Sequence, residues 1–378
     1  MRRFRPIAYF ALAVLAWLVT ATSPVGSQVS PPRQLPQAVP TQTAQAQTAQ
    51  TQPVPTQTAQ AQTAQVQEVA MMGMTVSEMD EALAFYTQVL PFEKVSDVEV
   101  HGREYEQLQG LFGVRMRVVQ LKLGRERIEL TEYLTPQGRP IPVDSRSHDL
   151  WFQHIAIVVS DMDQAYQQLR SHNVQHVSTG PQRLPEFIEA AAGIEAFYFR
   201  DPDDHNLELI YFPPDKGDPR WQAPTDDLFL GIDHTAIAVS DTATSLAFYQ
   251  DLLGLALVGE SENYGTEQEH LNNIFGARLR ISGLRASTGP GVEFLEYLSP
   301  PGGRPIPDDA QANDLMHWET TLVVADAEAA EARLRSPQVD FVSPGVITLP
   351  DTQLGFRRGF LIEDPDGHVL RIVERVRG

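Results

Sequence analysis

A short apolar strand, an acidic cap and an amphipathic helix recur four times along this chain, and that recurrence limits the fold more than any other feature. The clearest copy is GIDHTAIAVSDTATSLAFYQDLLG, Gly231 to Gly254. Its segment Ile232 to Val239 has the β-branched content of a strand, and Asp241 is placed to accept from the free amides of a following helix. Leu246, Tyr249 and Leu253 fall on one helical face, and Gly254 supplies the stop. VSEMDEALAFYTQVL (Val76 to Leu90) matches VSDTATSLAFYQDLL (Val239 to Leu253) 163 residues later, and FGVRMR at Phe112 matches FGARLR at Phe275 at the same shift. EYLTPQGRPIP from Glu132 then matches EYLSPPGGRPIP from Glu296, so the two halves are a duplication. Each half is itself double. HIAIVVSDMDQAYQQLR (His154 to Arg170) and ETTLVVADAEAAEARLR (Glu319 to Arg335) repeat the pattern, and their units close alike, with DPDDHNLELIYF from Asp201 and DPDGHVLRIVE from Asp364.

After each helix come alternating segments such as Arg127 to Leu134 and Val292 to Leu298, the mark of half-buried strands. The modules therefore read β-α-β-β-β, an α+β class with four such units. Alternation puts Ile128 and Leu130 under the helix and turns Glu129 to the opposite face. It isolates Glu208, Glu293 and Arg371 in the same way. A sheet covered by helices on one face leaves the other free to form a cup.

The 378 residues and 42% hydrophobic content suffice for two domains with real cores. A net charge of -20 argues against nucleic acid or an anionic membrane as partner and reads as a soluble, self-repelling surface. With no cysteine, disulfides, thiolate metal sites and a cysteine nucleophile are excluded, so any metal must take His, carboxylate or amide ligands.

Arg2, Arg3 and Arg5 precede an apolar run from Ile7 to Val19, short for a membrane span and of signal-peptide length. Residues 1–27 are read as a signal peptide or an N-terminal anchor, which makes the protein exported. Residues 28–67 are low in complexity, with PTQTAQAQTAQ at Pro40 repeated word for word at Pro55, and read as a disordered tether. The duplicated domains are assigned to 68–222 and 229–378, with no membrane insertion of either.

The H-x-A-I-x-V-x-D starts at His154 and His234, the A-F-Y helices and the D-P-D-x-H-x-L-E-L ending at Asp201 to Leu209 resemble the vicinal oxygen chelate superfamily. That superfamily includes glyoxalase I, methylmalonyl-CoA epimerase, extradiol dioxygenases and bleomycin resistance proteins. The resemblance covers nearly everything after Val69 and implies two domains with cup-shaped mixed sheets. It also implies a divalent metal held by one residue at the start of each module's first strand and one on its last strand. Carried over, these positions are Met71 and Glu129, His154 and Glu208, His234 and Glu293, and Glu319 and Arg371. Met71 is a poor partner for a hard divalent ion and Arg371 cannot bind a cation.

Module pairing decides the site. If cups form across the halves, as in a glyoxalase I-like arrangement, His154, Glu208, His234 and Glu293 make a two-His, two-carboxylate set suited to Zn, Ni, Mn, Fe or Co. The other cup then collects Met71, Glu129, Glu319 and Arg371, with the guanidinium replacing the metal's charge. If neighbouring modules pair, Glu129, His154 and Glu208 make a three-ligand site, while Arg371 spoils the second cup. The cross-half arrangement is preferred because it puts both unsuitable residues in one cup.

On that footing the resemblance implies a metal-dependent lyase or isomerase acting on vicinal oxygens, with Glu208 or Glu293 carrying the proton. A non-catalytic sequestering protein and a ring-cleaving dioxygenase are the alternatives. Other polar residues read as scaffold: His205 and His368 serve the D-P-D turns, and His101, Glu267 and His270 lie in loop-like stretches. His317 shares a strand face with Glu319, Arg139 and Arg304 sit in stiff Gly-Arg-Pro-Ile-Pro connectors, and the loops at Leu184-Pro185 and Leu349-Pro350 are placed to cover the cups.

Overall fold

The computed structural model describes residues 65–375. Residues 1–27, read as a signal peptide or anchor, and nearly all of the stretch 28–67, read as a tether, lie outside the described residues. No helix among the described residues is long and apolar enough to cross a membrane.

The first module runs through the strand Glu68–Val76, the helix Met79–Ala84 with its π-helical continuation Phe85–Val89, the strand Glu93–His101, the helix Arg103–Gln109 and the strands Arg115–Leu123 and Glu126–Thr135. The third repeats this with Phe229–Val239, Thr242–Leu246 and Ala247–Leu252, Ala256–Tyr264, Thr266–Asn272, Arg278–Arg285 and Gly291–Ser299. The second has Gln153–Val159, Met162–Ser171, Glu195–Arg200 and Asn206–Tyr211, with two-residue strands at Gln175–His176 and Gln182–Arg183. The fourth has Trp318–Val324, Ala327–Leu334, Arg358–Glu363 and Val369–Glu374, with short strands Asp340–Phe341 and Ile347–Thr348.

The β-α-β-β-β frame thus holds, and Asp161, Asp241 and Asp326 each cap their helix by accepting from the amide three residues on. The loop expectation is corrected at three residues. Glu267 and His270 lie on a helix and His101 ends the strand Glu93–His101, and Arg103–Gln109 is the helix's counterpart in the first module. Each is opened by a glycine at positive φ, Gly102 or Gly265, and closed by a left-handed Gly110 or Asn273. Seven residues are too few to display a helical period in the sequence.

Each sheet takes one module from each half of the chain. Modules one and four share a nine-stranded sheet, and modules two and three share the other, so the cross-half pairing is the one observed. Within a module the first strand runs parallel to the last, with Gly73 beside Glu129, Ala156 beside Glu208, Ala236 beside Glu293 and Thr321 beside Arg371. Between modules the two first strands are antiparallel, setting Gly73 opposite Glu319, His234 opposite Ala156 and Ala236 opposite His154. The helix-bearing faces of both sheets bury one common core that includes Ile128, Leu130, Ile155, Leu207, Ile232, Phe294, Leu370 and Ile372.

Polar contacts repeated with near two-fold symmetry hold the sheets together. The tyrosine of each A-F-Y helix reaches the D-P-D turn of the other sheet: Tyr86 Oη donates to Asp201 Oδ2 at 3.0 Å, and Tyr249 Oη to Asp364 Oδ2 at 3.0 Å. His205 places Nδ1 2.9 Å from Asp201 Oδ2 and Nε2 2.8 Å from the Leu315 carbonyl. Both neighbours are acceptors, so the ring donates from both nitrogens and carries a positive charge. Burial opposes that charge, but the Asp201 carboxylate outweighs it and holds the imidazole up at about 9.

The Gly-Arg-Pro-Ile-Pro connectors prove to be clasps. Arg139 donates through Nη2 to Asp314 at 2.6 Å and through Nη1 to Asp309 at 2.9 Å, while Arg304 makes the matching bonds to Asp149 at 2.7 Å and Asp144 at 3.0 Å. A Cβ on Gly138 or Gly303 would strike the backbone carbonyl of Asn313 or His148 at 1.9 or 1.6 Å, so only glycine lets these segments approach.

The cup of modules one and four is filled. Val100, Tyr105, Met116, Tyr133, Leu354 and Phe356 make a buried cluster within it, and on its floor lies Arg371, 1% exposed. The Arg371 guanidinium bonds Glu129 Oε1 at 2.7 Å, sits 3.1 Å from Glu319 Oε2 and donates from Nε to Thr321 Oγ1 at 3.0 Å. Gln120 donates to the second Glu129 oxygen at 3.1 Å, and His317 Nε2 lies 3.2 Å from Glu319 Oε1. A guanidinium therefore stands among the carboxylates where the resemblance would place a metal, and Met71 is buried beside this floor without a ligand's role.

Replacing Arg371 by Met strands two buried carboxylates and should lower stability in urea unfolding by about 3–5 kcal/mol; adding Glu129→Leu and Glu319→Leu should restore most of it. The charged His205 gives a second test. A raised folded-state pKa contributes stability that is full below the unfolded value of 6.5 and lost as pH rises through about 9. The melting-temperature advantage of wild type over His205→Asn should therefore shrink steadily across that interval.

Candidate metal centre

The two central strands of the other sheet, Gln153–Val159 and Phe229–Val239, bring one histidine from each half onto one concave face. In register across the sheet, Glu208, Ala156, His234 and Gly291 form one row, and Asn206, His154, Ala236 and Glu293 the next. Alanine or glycine between the functional residues keeps the floor open, so the longer side chains can converge above it.

His154 Nε2 lies 3.2 Å from Glu208 Oε2, which lies 3.6 Å from His234 Nε2. One ligand atom from each of the three falls within 4.8 Å of the others. All three residues are buried, and His154 Nε2, Glu208 Oε2 and His234 Nε2 have no hydrogen-bond partner. Three orphaned polar atoms at one point are costly unless something satisfies them together. Two imidazoles and a carboxylate suit Zn, Ni, Mn, Fe or Co, so the donor set fits a divalent ion.

Glu293 stands at the edge of this group. Its Oε1 is 3.7 Å from His234 Nε2, its side chain is 26% exposed, and it falls outside the three-residue cluster. Burial, aided by the Glu208 charge and opposed by His234, raises its carboxyl above the usual range. Desolvation works to lower the His234 pKa, but Glu293, Asp233 and Glu208 overcome it and raise the ring to about 9. The Tyr198 ring lies against His154 with centroids 4.9 Å apart and planes tilted by 43°, and burial together with the Glu208 charge keeps its phenol protonated.

Asp233 is a functional residue that alternation does not reveal. A shift in register between Ile232 and His234 lets neighbouring side chains meet, and Asp233 Oδ2 sits 3.0 Å from His234 Nδ1. That contact directs the other ring nitrogen toward Glu208. Asp233 is in turn held by the Trp221 indole N–H at 2.9 Å and by Arg285, 2.9 Å from both its oxygens.

Above the residues lies a cavity of about 280 Å³, bounded by Glu208, His234 and Glu293 at its base and by Leu184, Ile194 and Phe212 on one side. The Leu184 loop packs Ile188 and Ala191 against this wall, and Phe187 meets Tyr264 at the rim with ring centroids 5.2 Å apart. The corresponding loop in the filled cup drives Leu354 and Phe356 inward instead. Of the expected residues, the structure brings His154, Glu208 and His234 together with Glu293 alongside. Glu129, Glu319 and Arg371 lie in the other sheet.

Comparison with known proteins agrees with this architecture. A model of the glyoxalase/bleomycin resistance protein/dioxygenase superfamily matches residues 67–209 and again 231–372. A 2-epi-5-epi-valiolone epimerase from an Actinomyces species is 31% identical over 153 residues, 37% of this chain and 76% of that protein. An uncharacterised Bacillus subtilis protein, YwbC, is 25% identical over 144 residues, covering 38% of this chain and 97% of its own. Glyoxalase I from Zea mays shares the fold at a TM-score of 0.54 and 16% identity, over 82% of this chain and 92% of that one. With a family match in both halves, on the strands and turns that build the two cups, the chain belongs to the glyoxalase/bleomycin resistance protein/dioxygenase superfamily.

Proposed function

We propose that this protein is a divalent-metal-dependent isomerase or lyase, with epimerisation the favoured reaction, acting on a small substrate that carries vicinal oxygens. The observation that carries this is the convergence of three buried, unpartnered ligand atoms from His154, Glu208 and His234 on one point of an open cup. The epimerase relative supports the reaction class. The arginine-led apolar segment at the N-terminus supports export.

His154, Glu208 and His234 would hold the ion, with Glu293 as a further oxygen donor or as the base. Bound there, a divalent ion supplies Lewis-acid polarisation of a substrate carbonyl. Glu293 is the residue suited to the proton. Its carboxyl, raised above the usual range, takes a proton from the carbon beside that carbonyl when ionised and returns it to that carbon or its neighbour, leaving composition unchanged. Asp233 keeps the His234 ring oriented, and the aliphatic wall excludes water from the transfer. Glu208, wedged between the two histidines, is the better ligand and the poorer base.

A non-catalytic sequestering role is the second reading, favoured by the loss of one cup to Arg371. Elemental analysis after reconstitution should find about one transition metal per chain, absent from His154→Ala and His234→Ala but kept in Glu293→Gln. The loaded protein should wash deuterium into the carbon-bound hydrogens of dihydroxyacetone, and Glu293→Gln should lose that exchange at least a hundredfold. Metal without exchange on any hydroxyketone would favour sequestration; no metal with any ion sinks the mechanism.

A further inference from the structure

The strand Ala256–Tyr264 and the helix Thr266–Asn272 form another wall of the open cavity, and two amide side chains face it. Asn263 is 3% exposed and Gln268 1%, yet Asn263 Oδ1 and Gln268 Oε1 have no hydrogen-bond partner. Gln268 uses its amide nitrogen on Asn272 Oδ1, which leaves the unpartnered oxygen as an acceptor. Burying an unmet acceptor costs stability that an apolar residue would not.

The chain contains its own control for that cost. The positions 163 residues earlier, in the filled cup, are Val100 and Tyr105, and both pack in its apolar cluster. The same strand and helix therefore accept apolar side chains at these two places. At these two positions the amides belong to the open cup and the apolar residues to the filled one.

Charge narrows what they meet. Glu208, Asp233, Glu260 and Glu293 line the cavity, and among its described lining residues the cationic groups are Arg285, whose guanidinium is spent on Asp233, and His234, which pairs with Asp233 and belongs to the metal group. A phosphate or carboxylate would find no uncommitted positive side chain there, while repelled by the acids. A hydroxyl, which donates to a buried amide oxygen, fits. The cavity's 280 Å³ suits one small ring better than an extended tethered substrate.

We propose that Asn263 and Gln268 are a substrate-binding subsite for the hydroxyl groups of an uncharged, polyhydroxylated molecule of the sugar or cyclitol class. This rests on the reading of the open cup as the active one. The test measures dissociation constants of the full chain, reconstituted with zinc, for myo-inositol and D-fructose beside D-fructose 6-phosphate and D-gluconate. Metal content and melting temperature are followed on the same samples. The uncharged probes should bind at least tenfold more tightly than the anionic ones. Asn263→Leu and Gln268→Leu should each weaken that binding about tenfold with metal content unchanged and melting temperature unchanged or raised, a combination a merely structural role does not produce. Equal or tighter binding of the anions, or variants that leave the constants alone, overturns the subsite. Uncharged binding that persists, and depends on both amides, in a chain that takes up no metal overturns the catalytic reading and leaves the subsite standing.

Discussion

Everything in this protein hangs on the antiparallel hydrogen bonding between the first strands of two modules that come from opposite halves of the chain. That pairing sets His154 opposite Ala236 and His234 opposite Ala156, and each strand's parallel partner adds Glu293 or Glu208 to the same row. Because side chains alternate along a strand, a slip of either strand by one residue would send its histidine to the helix side, away from the other. The apolar rows beneath, with Ile155 and Ile232 in the shared core, penalise such a slip. Core packing and site assembly are thus the same constraint seen from two faces of one sheet.

The two cups show what different side chains make of one backbone geometry. In one, the charges of Glu129, Glu319 and Arg371 answer each other at hydrogen-bonding distance, and aromatic and aliphatic groups close over them. In the other, two imidazoles and a carboxylate meet with nothing between them to satisfy their lone pairs. A desolvated cluster whose cation faces its carboxylates adds little net stability and leaves little charge for a ligand to answer. One that lacks such a counterpart sacrifices stability, and that sacrifice is characteristic of sites that bind.

Much of this was legible in the residues. The repeated strand, cap and helix located the modules, alternation turned Glu129, Glu208, Glu293 and Arg371 away from the helices, and the unsuitability of Met71 and Arg371 favoured the cross-half pairing that the sheets adopt. What escaped had physical reasons. The helix carrying Glu267, Gln268 and His270 is seven residues long and stops on a left-handed Asn273, too short for a periodic signal. Asp233 reaches His234 through a register shift, and no alternation rule foresees two neighbours on one face. Arg139 and Arg304 read as connector residues because the aspartates that bind them lie far along the chain.

The sheet order also carries a consequence for how the chain assembles. The open cup is built from consecutive segments between Gln153 and Ser299, so its strands can find one another while the C-terminal module is still being synthesised. The filled cup joins the two ends: Glu68–Val76 lacks its central neighbour until Trp318–Val324 arrives. An early strand with an unmet edge is a liability for mispairing, and the loop closure is long. The buried arginine belongs to the last module synthesised, so the cation that faces Glu129 is the last part of that floor to become available.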